Sequence, residues 1–549
     1  MNEKRVILAG TQRLHKPERQ RLATVRGNKL ITVTVTLRGK SPVKPSPLGV
    51  PVRRVKHLTT AEANRSFSHT AKDEAAVRRF ADAYDLHYNG SATGSIQLRG
   101  AAKQLGRAFG VTLCHYNESK YDSKYHGHDE EVTLPAYLKN IVTGVFGLDS
   151  HPVAHRPCLT HRMSAQGIPP PPVTSQTREP AEFARLYNFP VSHMGAGQSL
   201  GLLEFGGGFR RHELNSYFTS LGAAIPRVIV KEIAPGSNRP RGKRGTLNSD
   251  TEVYMDLELV ASLAPRATIV AYFGENTEQG WIRTLQAAIL DPRHDLSVIS
   301  ISWGEAEEDW SPQATVEIDK LFQLAALRGI TICCSSGDNG ISELTGQRFT
   351  VAFPASSPHV LACGGTRLEV KQSGQRSETV WNQWRQFKLA SGGGVSKIFA
   401  LPLYQKNSNV PSRASNGTRG RGIPDVAANA SSDTGYLIVA DKTRMSMGGT
   451  SAAAPLWAAL IVRLDEALGI KLGFLTPLLY AMKESGADAV FDIVKGFNGP
   501  TRTQGYRARH GWDACTGLGS PHGEEILEWL LSINNKKVNS KWMKSKSRT

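Results

Sequence analysis

What this chain lacks narrows its class. It has no apolar run near the roughly 20 residues that a membrane-spanning helix needs. The longest, Ala452 to Val462, contains Pro455 and stops at Arg463. No membrane partner is expected. Near the N-terminus the apolar run Val6-Ile7-Leu8-Ala9 is shorter than the core of a signal peptide, so no ordinary export signal is visible. Cysteine is scarce, with six in 549 residues (Cys114, Cys158, Cys333, Cys334, Cys363 and Cys515). They show no paired metal-ligand spacing and read as packed free thiols rather than a disulfide framework. No segment repeats at a fixed period, which excludes a solenoid. Acidic residues are outnumbered, 48 Asp+Glu against 67 Lys+Arg, for a net charge of +19. Such a balance first suggests a polyanion partner. The basic residues, however, gather at Arg239 to Arg244 and from Lys536 to Arg548 without interleaved aromatics, so a solvated surface and no nucleic-acid partner is expected.

What is present is a globular, loop-rich composition, with 40% hydrophobic residues, 52 glycines and 29 prolines, too long for one ordinary core. Residues 1–160 alternate strand-like segments (Leu30 to Leu37) with helical ones (Asp73 to Tyr84, Arg99 to Phe109), the pattern of a small α+β unit. Four consecutive prolines, Pro169 to Pro172, mark an extended and protease-accessible linker over 161–179. From 180 to 535 short apolar runs alternate with helical periodicity. The runs are Ser199 to Glu204, Arg227 to Val230, Thr268 to Phe273, Ser297 to Ser302 and Ile330 to Ser335. This is the texture of an α/β fold, a mostly parallel sheet flanked by helices on both faces, whose sites lie beyond the carboxyl ends of the strands. Residues 536–549 form a basic tail expected to be flexible.

Three segments carry chemistry. Gly448-Gly449-Thr450-Ser451-Ala452-Ala453-Ala454-Pro455 leads into the apolar helix Leu456 to Leu464, which puts Ser451 at a helix N-terminus where free N–H groups favour developing negative charge. A serine nucleophile needs a base, and none of the 16 histidines stands in a suitable setting. The helix starting near Ser249-Asp250 offers Glu252 and Asp256 instead, four apart on one face. Beside an apolar stripe of Val253, Leu257, Val260 and Ala264, two such carboxylates repel, and at least one should hold its proton unusually well. Ser335-Ser336-Gly337-Asp338-Asn339-Gly340 follows a buried strand, so Asp338 falls at a carboxyl end, where a neutral carboxyl can donate to an oxyanion. Each segment also has an ordinary structural reading: an N-cap serine, a solvated acidic helix start and an Asx turn.

Taken together, Glu-x-x-x-Asp, then Ser-Gly-Asp, then Gly-Thr-Ser-Ala-x-x-Pro resemble the sedolisin family of serine-carboxyl peptidases, and its kumamolisin-like members above all. The likeness extends to Leu202 to Phe209, Ser300-Ile301-Ser302-Trp303-Gly304, Ser391 to Ser396, Gly422 to Ala427 and Gly511 to Gly517. The resemblance implies a subtilisin-like catalytic domain preceded by a ferredoxin-like propeptide that acts as intramolecular inhibitor until it is cut away on acidification. It implies an acid-acting endopeptidase on protein or peptide substrates, extracellular and monomeric. It further implies Ser451 as nucleophile, Glu252 as base, Asp256 behind it, Asp338 as oxyanion donor, and Glu204 and Trp303 as support. Finally, it implies one calcium ion held by Asp492 and Asp513 with the carbonyls of Ile493, Arg509 and Gly511. Arg509 stands where close relatives have glycine, which keeps a carbonyl but brings a cation nearby. A subtilisin-type protease is the nearest rival, but it requires an Asp-x-Gly early strand and a His-Gly-x-His helix; after residue 180 there is no His-Gly-x-His, and Asp-x-Gly stands only late, at 338–340 and 433–435.

Overall fold

The computed structural model describes residues 4–13, 19–40, 56–118, 121–154, 171–242, 248–342, 349–413 and 417–535. Cys158, the first half of the proline linker and the basic tail 536–549 lie outside them. The five described cysteines are buried free thiols.

In the N-terminal unit, alternation over Leu30–Leu37 (β1) sends Ile31, Val33, Val35 and Leu37 to one face of a sheet, where they are buried. They pack against apolar residues of α1 (Ala71–Ala83) and α2 (Ala102–Phe109). With β2 (His87–Ala92), β3 (Ser95–Ala101) and β4 (Val142–Phe146) the sheet is antiparallel in the order β2-β3-β1-β4, the ferredoxin-like arrangement. Helical periodicity suggests a helix from Arg99. Instead Arg99–Ala101 continues the pairing with Leu30–Thr32, and the helix begins one residue later. Strand pairing outweighs local propensity there.

The C-terminal unit is built on an eight-stranded sheet. Its strands are β5 (Ser199–Glu204), β6 (Arg227–Glu232), β7 (Thr268–Phe273), β8 (Val298–Ile301), β9 (Thr331–Ser335), β10 (Leu361–Val370), β11 (Arg376–Val380) and β12 (Val426–Asn429). The order is β6-β7-β5-β8-β9-β10-β11, with β12 also on β10. All pairs are parallel except β10 with β11. Helices α3 (Ser249–Leu263) and α6 (Thr450–Leu468) fill one core layer; α4 (Glu278–Ile289) and α5 (Pro312–Leu327) fill the other. This is the subtilisin-like layering expected of the sequence. The exception is β6, whose apolar run suggests double coverage but which is the edge strand and only half-buried.

The two units meet through the second face of β1. Thr34 and Thr36 are buried, and Gln279 on α4 donates to the Thr32 carbonyl (3.1 Å) and to Thr34 Oγ1 (3.0 Å). On α5 the Gln313 amide exchanges two hydrogen bonds of 3.1 Å with the backbone of Val145. The period-2 pattern of β1 therefore specifies both its own core and its docking face.

Beyond Pro171 the linker is tied down along a hairpin of β13 (Tyr436–Ala440) and β14 (Thr443–Met447). Ser446 N–H donates to the Pro171 carbonyl (3.3 Å), Thr174 Oγ1 to the Asp433 carbonyl (2.8 Å) and Leu437 N–H to the Arg178 carbonyl (2.8 Å). Hydrogen-bonded backbone resists proteolysis. Mass spectrometry after acid treatment of the full chain is expected to find a cut N-terminal to Thr174; a mature chain starting beyond Arg178 would contradict this.

Candidate active site

Two helix N-termini and three strand ends converge on the site. Helix α3 is capped by Asn248, whose side-chain oxygen accepts from Asp250 N–H at 2.7 Å. The sequence stripe suggests an amphipathic helix, but α3 is buried almost all round, between α6 and the β13–β14 hairpin. Glu252 and Asp256 are therefore core residues, 1% and 0% exposed, rather than a solvated acidic start.

Helix α6 begins six residues before the apolar segment Leu456 to Leu464, so Ser451 is its second residue and Pro455 lies inside it. Its N-cap, Gly449, has φ +96°, and a Cβ there would lie 2.7 Å from Asp338 Oδ2. Both conditions require glycine. Thr450 supplies two hydrogen bonds to Asp338 Oδ1, from its N–H (2.8 Å) and its hydroxyl (2.7 Å). The same hydroxyl accepts Gly337 N–H at 3.1 Å, so its one hydrogen is committed to Asp338. With Oδ1 accepting twice, an acidic proton on Asp338 belongs on Oδ2, the oxygen turned toward Gly449 and the start of α6.

Ser302, directly after β8, joins α3 to α6. Its hydroxyl lies 3.0 Å from Asp256 Oδ1 and 3.2 Å from the Ser451 carbonyl oxygen. The Ser302 carbonyl in turn accepts the Ser451 hydroxyl at 3.3 Å. Glu204 ends β5, and Trp303 Nε1–H donates to its Oε2 at 3.1 Å. The hydrogen bonds named around Ser451 involve no histidine.

Burial dominates the electrostatics. It pushes the Glu204 carboxyl up to about 8, against the Trp303 hydrogen bond and with help from the Glu252 charge. Asp256 is driven well above the ordinary carboxylate range by burial, then by Glu204 and Glu252, while Ser302 opposes the shift. The structure thus brings together Ser451, Asp338, Asp256, Glu204 and Trp303 by hydrogen bonds or charge, and Glu252 by its field and its place one turn before Asp256. Ser302 and Thr450 escape the sequence reading. Each is adjacent in sequence to a candidate, Trp303 or Ser451, and a hydroxyl of that kind is too common in turns to stand out.

The metal candidates form a separate group. Gly511 N–H donates to Asp492 Oδ2 (2.8 Å), while Asp492 Oδ1 is buried without a hydrogen-bond partner among the described residues. Asp513, also buried, accepts from the Arg509 (3.1 Å), Cys515 and Thr516 (both 2.9 Å) N–H groups. The Arg509 guanidinium is engaged by the carbonyls of Asn409 (2.8 Å) and Trp512 (3.3 Å).

A profile of the subtilase family matches residues 237–477, and one of the pro-kumamolisin activation domain matches 51–151. The chain is 38% identical over 545 residues to kumamolisin of Bacillus sp. (strain MN-32), covering 96% of this chain and 97% of that protein. It is 31% identical over 460 residues to sedolisin of Pseudomonas sp. (strain 101), covering 80% and 75%. It is 27% identical over 585 residues to tripeptidyl-peptidase sed5 of Aspergillus fumigatus, covering 96% and 97%. Among solved structures, Pseudomonas sedolisin, a serine-carboxyl proteinase complexed with two molecules of pseudo-iodotyrostatin, superposes with a TM-score of 0.58 at 29% identity, covering 66% of this chain and 100% of that one. On this similarity the chain belongs to the sedolisin family of serine-carboxyl peptidases, with an N-terminal activation domain ahead of its subtilisin-like fold.

Proposed function

We propose that this serine-carboxyl peptidase is an extracellular, acid-acting endopeptidase in which Ser451 is the nucleophile, Glu252 its base, Asp256 the carboxyl behind the base and Asp338 the oxyanion donor. The observation that carries the reading is Asp338: Thr450 occupies one of its oxygens twice and leaves the other facing the start of α6. A carboxyl so held donates to an oxyanion only while protonated. Ser451 Oγ, resting on the Ser302 carbonyl, passes its hydrogen to Glu252 as it attacks the peptide carbonyl. The C–N bond then breaks as the amine leaves with that proton, and water releases the acyl group from Ser451. Asp256 shares the charge and proton load of Glu252, and Glu204, held by Trp303, does the same one step further away.

Endopeptidase action is favoured over tripeptidyl release by the higher identity to kumamolisin, 38%, than to the tripeptidyl-peptidase sed5, 27%. Digestion of a protein at about pH 4 separates the two, because an endopeptidase yields internal fragments and a tripeptidyl-peptidase yields tripeptides. The activation domain is proposed to hold the site closed until acidification and removal.

The pH sign follows from the carboxyls. Glu204 and Asp256 bind protons more tightly folded than unfolded, so the stability they lend is complete below the ordinary carboxylate range and is lost as pH rises through their raised values, about 8 for Glu204. The same rise ionises the groups that the chemistry needs neutral. The mature enzyme is therefore expected to digest casein best at about pH 4 and to lose both kcat and Tm as pH rises toward neutrality. Ser451→Ala should remove activity by about a thousandfold or more while leaving Tm nearly unchanged. A rate flat across that range, or an active Ser451→Ala, would contradict the mechanism.

One calcium ion is proposed to be held by the carboxylates of Asp492 and Asp513 with the carbonyls of Ile493, Arg509 and Gly511. The buried, unpartnered Asp492 Oδ1 suits a hard cation, and the guanidinium of Arg509 is already engaged by two carbonyls. Such an ion supplies structural cross-linking of the C-terminal loops. Dialysis against a calcium chelator is expected to lower Tm by several degrees, with recovery on adding calcium and no such response in Asp492→Asn. An unchanged Tm in the wild type would remove the metal from this account.

A further inference from the structure

Ser302 has more partners than hydrogens. Its hydroxyl contacts Asp256 Oδ1 at 3.0 Å and the Ser451 carbonyl oxygen at 3.2 Å, yet it carries a single hydrogen. A carbonyl oxygen can only accept. If that hydrogen goes to the Ser451 carbonyl, the contact with Asp256 is a hydrogen bond only when Asp256 is the donor, that is, when it is protonated on Oδ1. If Asp256 is ionised it draws the hydrogen to itself, and the Ser451 carbonyl loses this donor.

The Ser451 carbonyl is a special acceptor for a second reason. In an α-helix it would receive the N–H of the residue four positions on, which here is Pro455, and proline has none. Ser302 therefore supplies a hydrogen that the backbone cannot. The site is buried, with Asp256 and Ser302 both 0% exposed, so a missing donor is not made good by solvent.

Resting on the serine-carboxyl reading above, we propose that Ser302 is a positioning residue. Its hydroxyl passes a hydrogen bond from protonated Asp256 to the Ser451 carbonyl, fixing the first turn of α6 and with it the nucleophile. Among the described residues, the ionisable groups that act on Asp256 are Glu252 on its own helix and Glu204 at the end of β5; neither supplies a positive charge that would favour the ionised form. Ser302 also holds the nucleophile from the other side, through its own carbonyl and the Ser451 hydroxyl. One residue thus clamps both polar ends of Ser451, and one of the two contacts depends on the proton of Asp256. As pH rises, ionisation of Asp256 releases that contact before the fold is lost.

The test compares mature wild type, Ser302→Ala and Ser302→Thr on one peptide substrate across pH. Ser302→Ala is expected to lower kcat about tenfold or more, the loss of a buried hydrogen bond, with KM little changed. Its basic limb should move to higher pH, because Ser302 is the hydrogen bond that stabilises ionised Asp256. Ser302→Thr, which keeps the hydroxyl, should restore both. A wild-type kcat with an unmoved basic limb in Ser302→Ala, or a change confined to KM, would overturn the proposal. If Ser302→Ala does not fold, Ser302→Cys keeps the volume with a weaker donor and is read against the same two outcomes. Failure of the peptidase reading would show separately, as a wild type inactive at low pH.

Discussion

Everything at this site depends on carboxyl groups being buried together. Among the described residues, the groups acting on Asp256 are Glu204, Glu252 and Ser302, and those acting on Glu204 are Trp303 and Glu252; no lysine or arginine is among them. Elsewhere the same protein sets a buried acid against a buried cation. Asp425, fully buried, receives two hydrogen bonds from Arg421, one of them at 2.8 Å. The contrast separates a structural ion pair from a store of protons. In the first, charge is neutralised by charge; in the second, it is neutralised by hydrogen, and only at low pH.

The fold serves this by placement. The ends of β5, β8 and β9 deliver Glu204, Ser302 and Asp338 to one edge of a parallel sheet, and α3 and α6 bring Glu252, Asp256 and Ser451 from one face. Few of these residues could be exchanged for bulkier ones. Gly449 meets the Asp338 carboxyl within the space of a Cβ, and a Cβ at Gly206 would meet the Trp303 ring at 3.1 Å. Such contacts keep the hydroxyls and carboxyls in a narrow set of positions, which is what proton transfer between weak partners requires.

Much of this was legible in the sequence because the constraints are local. Apolar runs mark strands β5 and β7 to the residue, and the glycine before Thr450-Ser451 marks a tight helix entry. What was not legible depends on tertiary neighbours. Nothing in Arg227 to Val230 says that it lies at a sheet edge. The charged first turn of α3 looks solvated until the β13–β14 hairpin and α6 cover it. Ser302 is one serine among many until Pro455, 153 positions away in a helix of its own, leaves the Ser451 carbonyl in need of a donor. Thr450 is likewise silent until Gly337 and Asp338 fold back against it.

The central claim, that Asp256 is a neutral acid under working conditions, is tested most directly by infrared difference spectroscopy of the mature enzyme titrated with alkali. The account predicts that, beside the band of Glu204, a carboxylic C=O band survives past the ordinary carboxylate range and is missing in Asp256→Asn. Loss of every carboxylic band within the ordinary carboxylate range, or spectra above that range that are identical in wild type and Asp256→Asn, would contradict it.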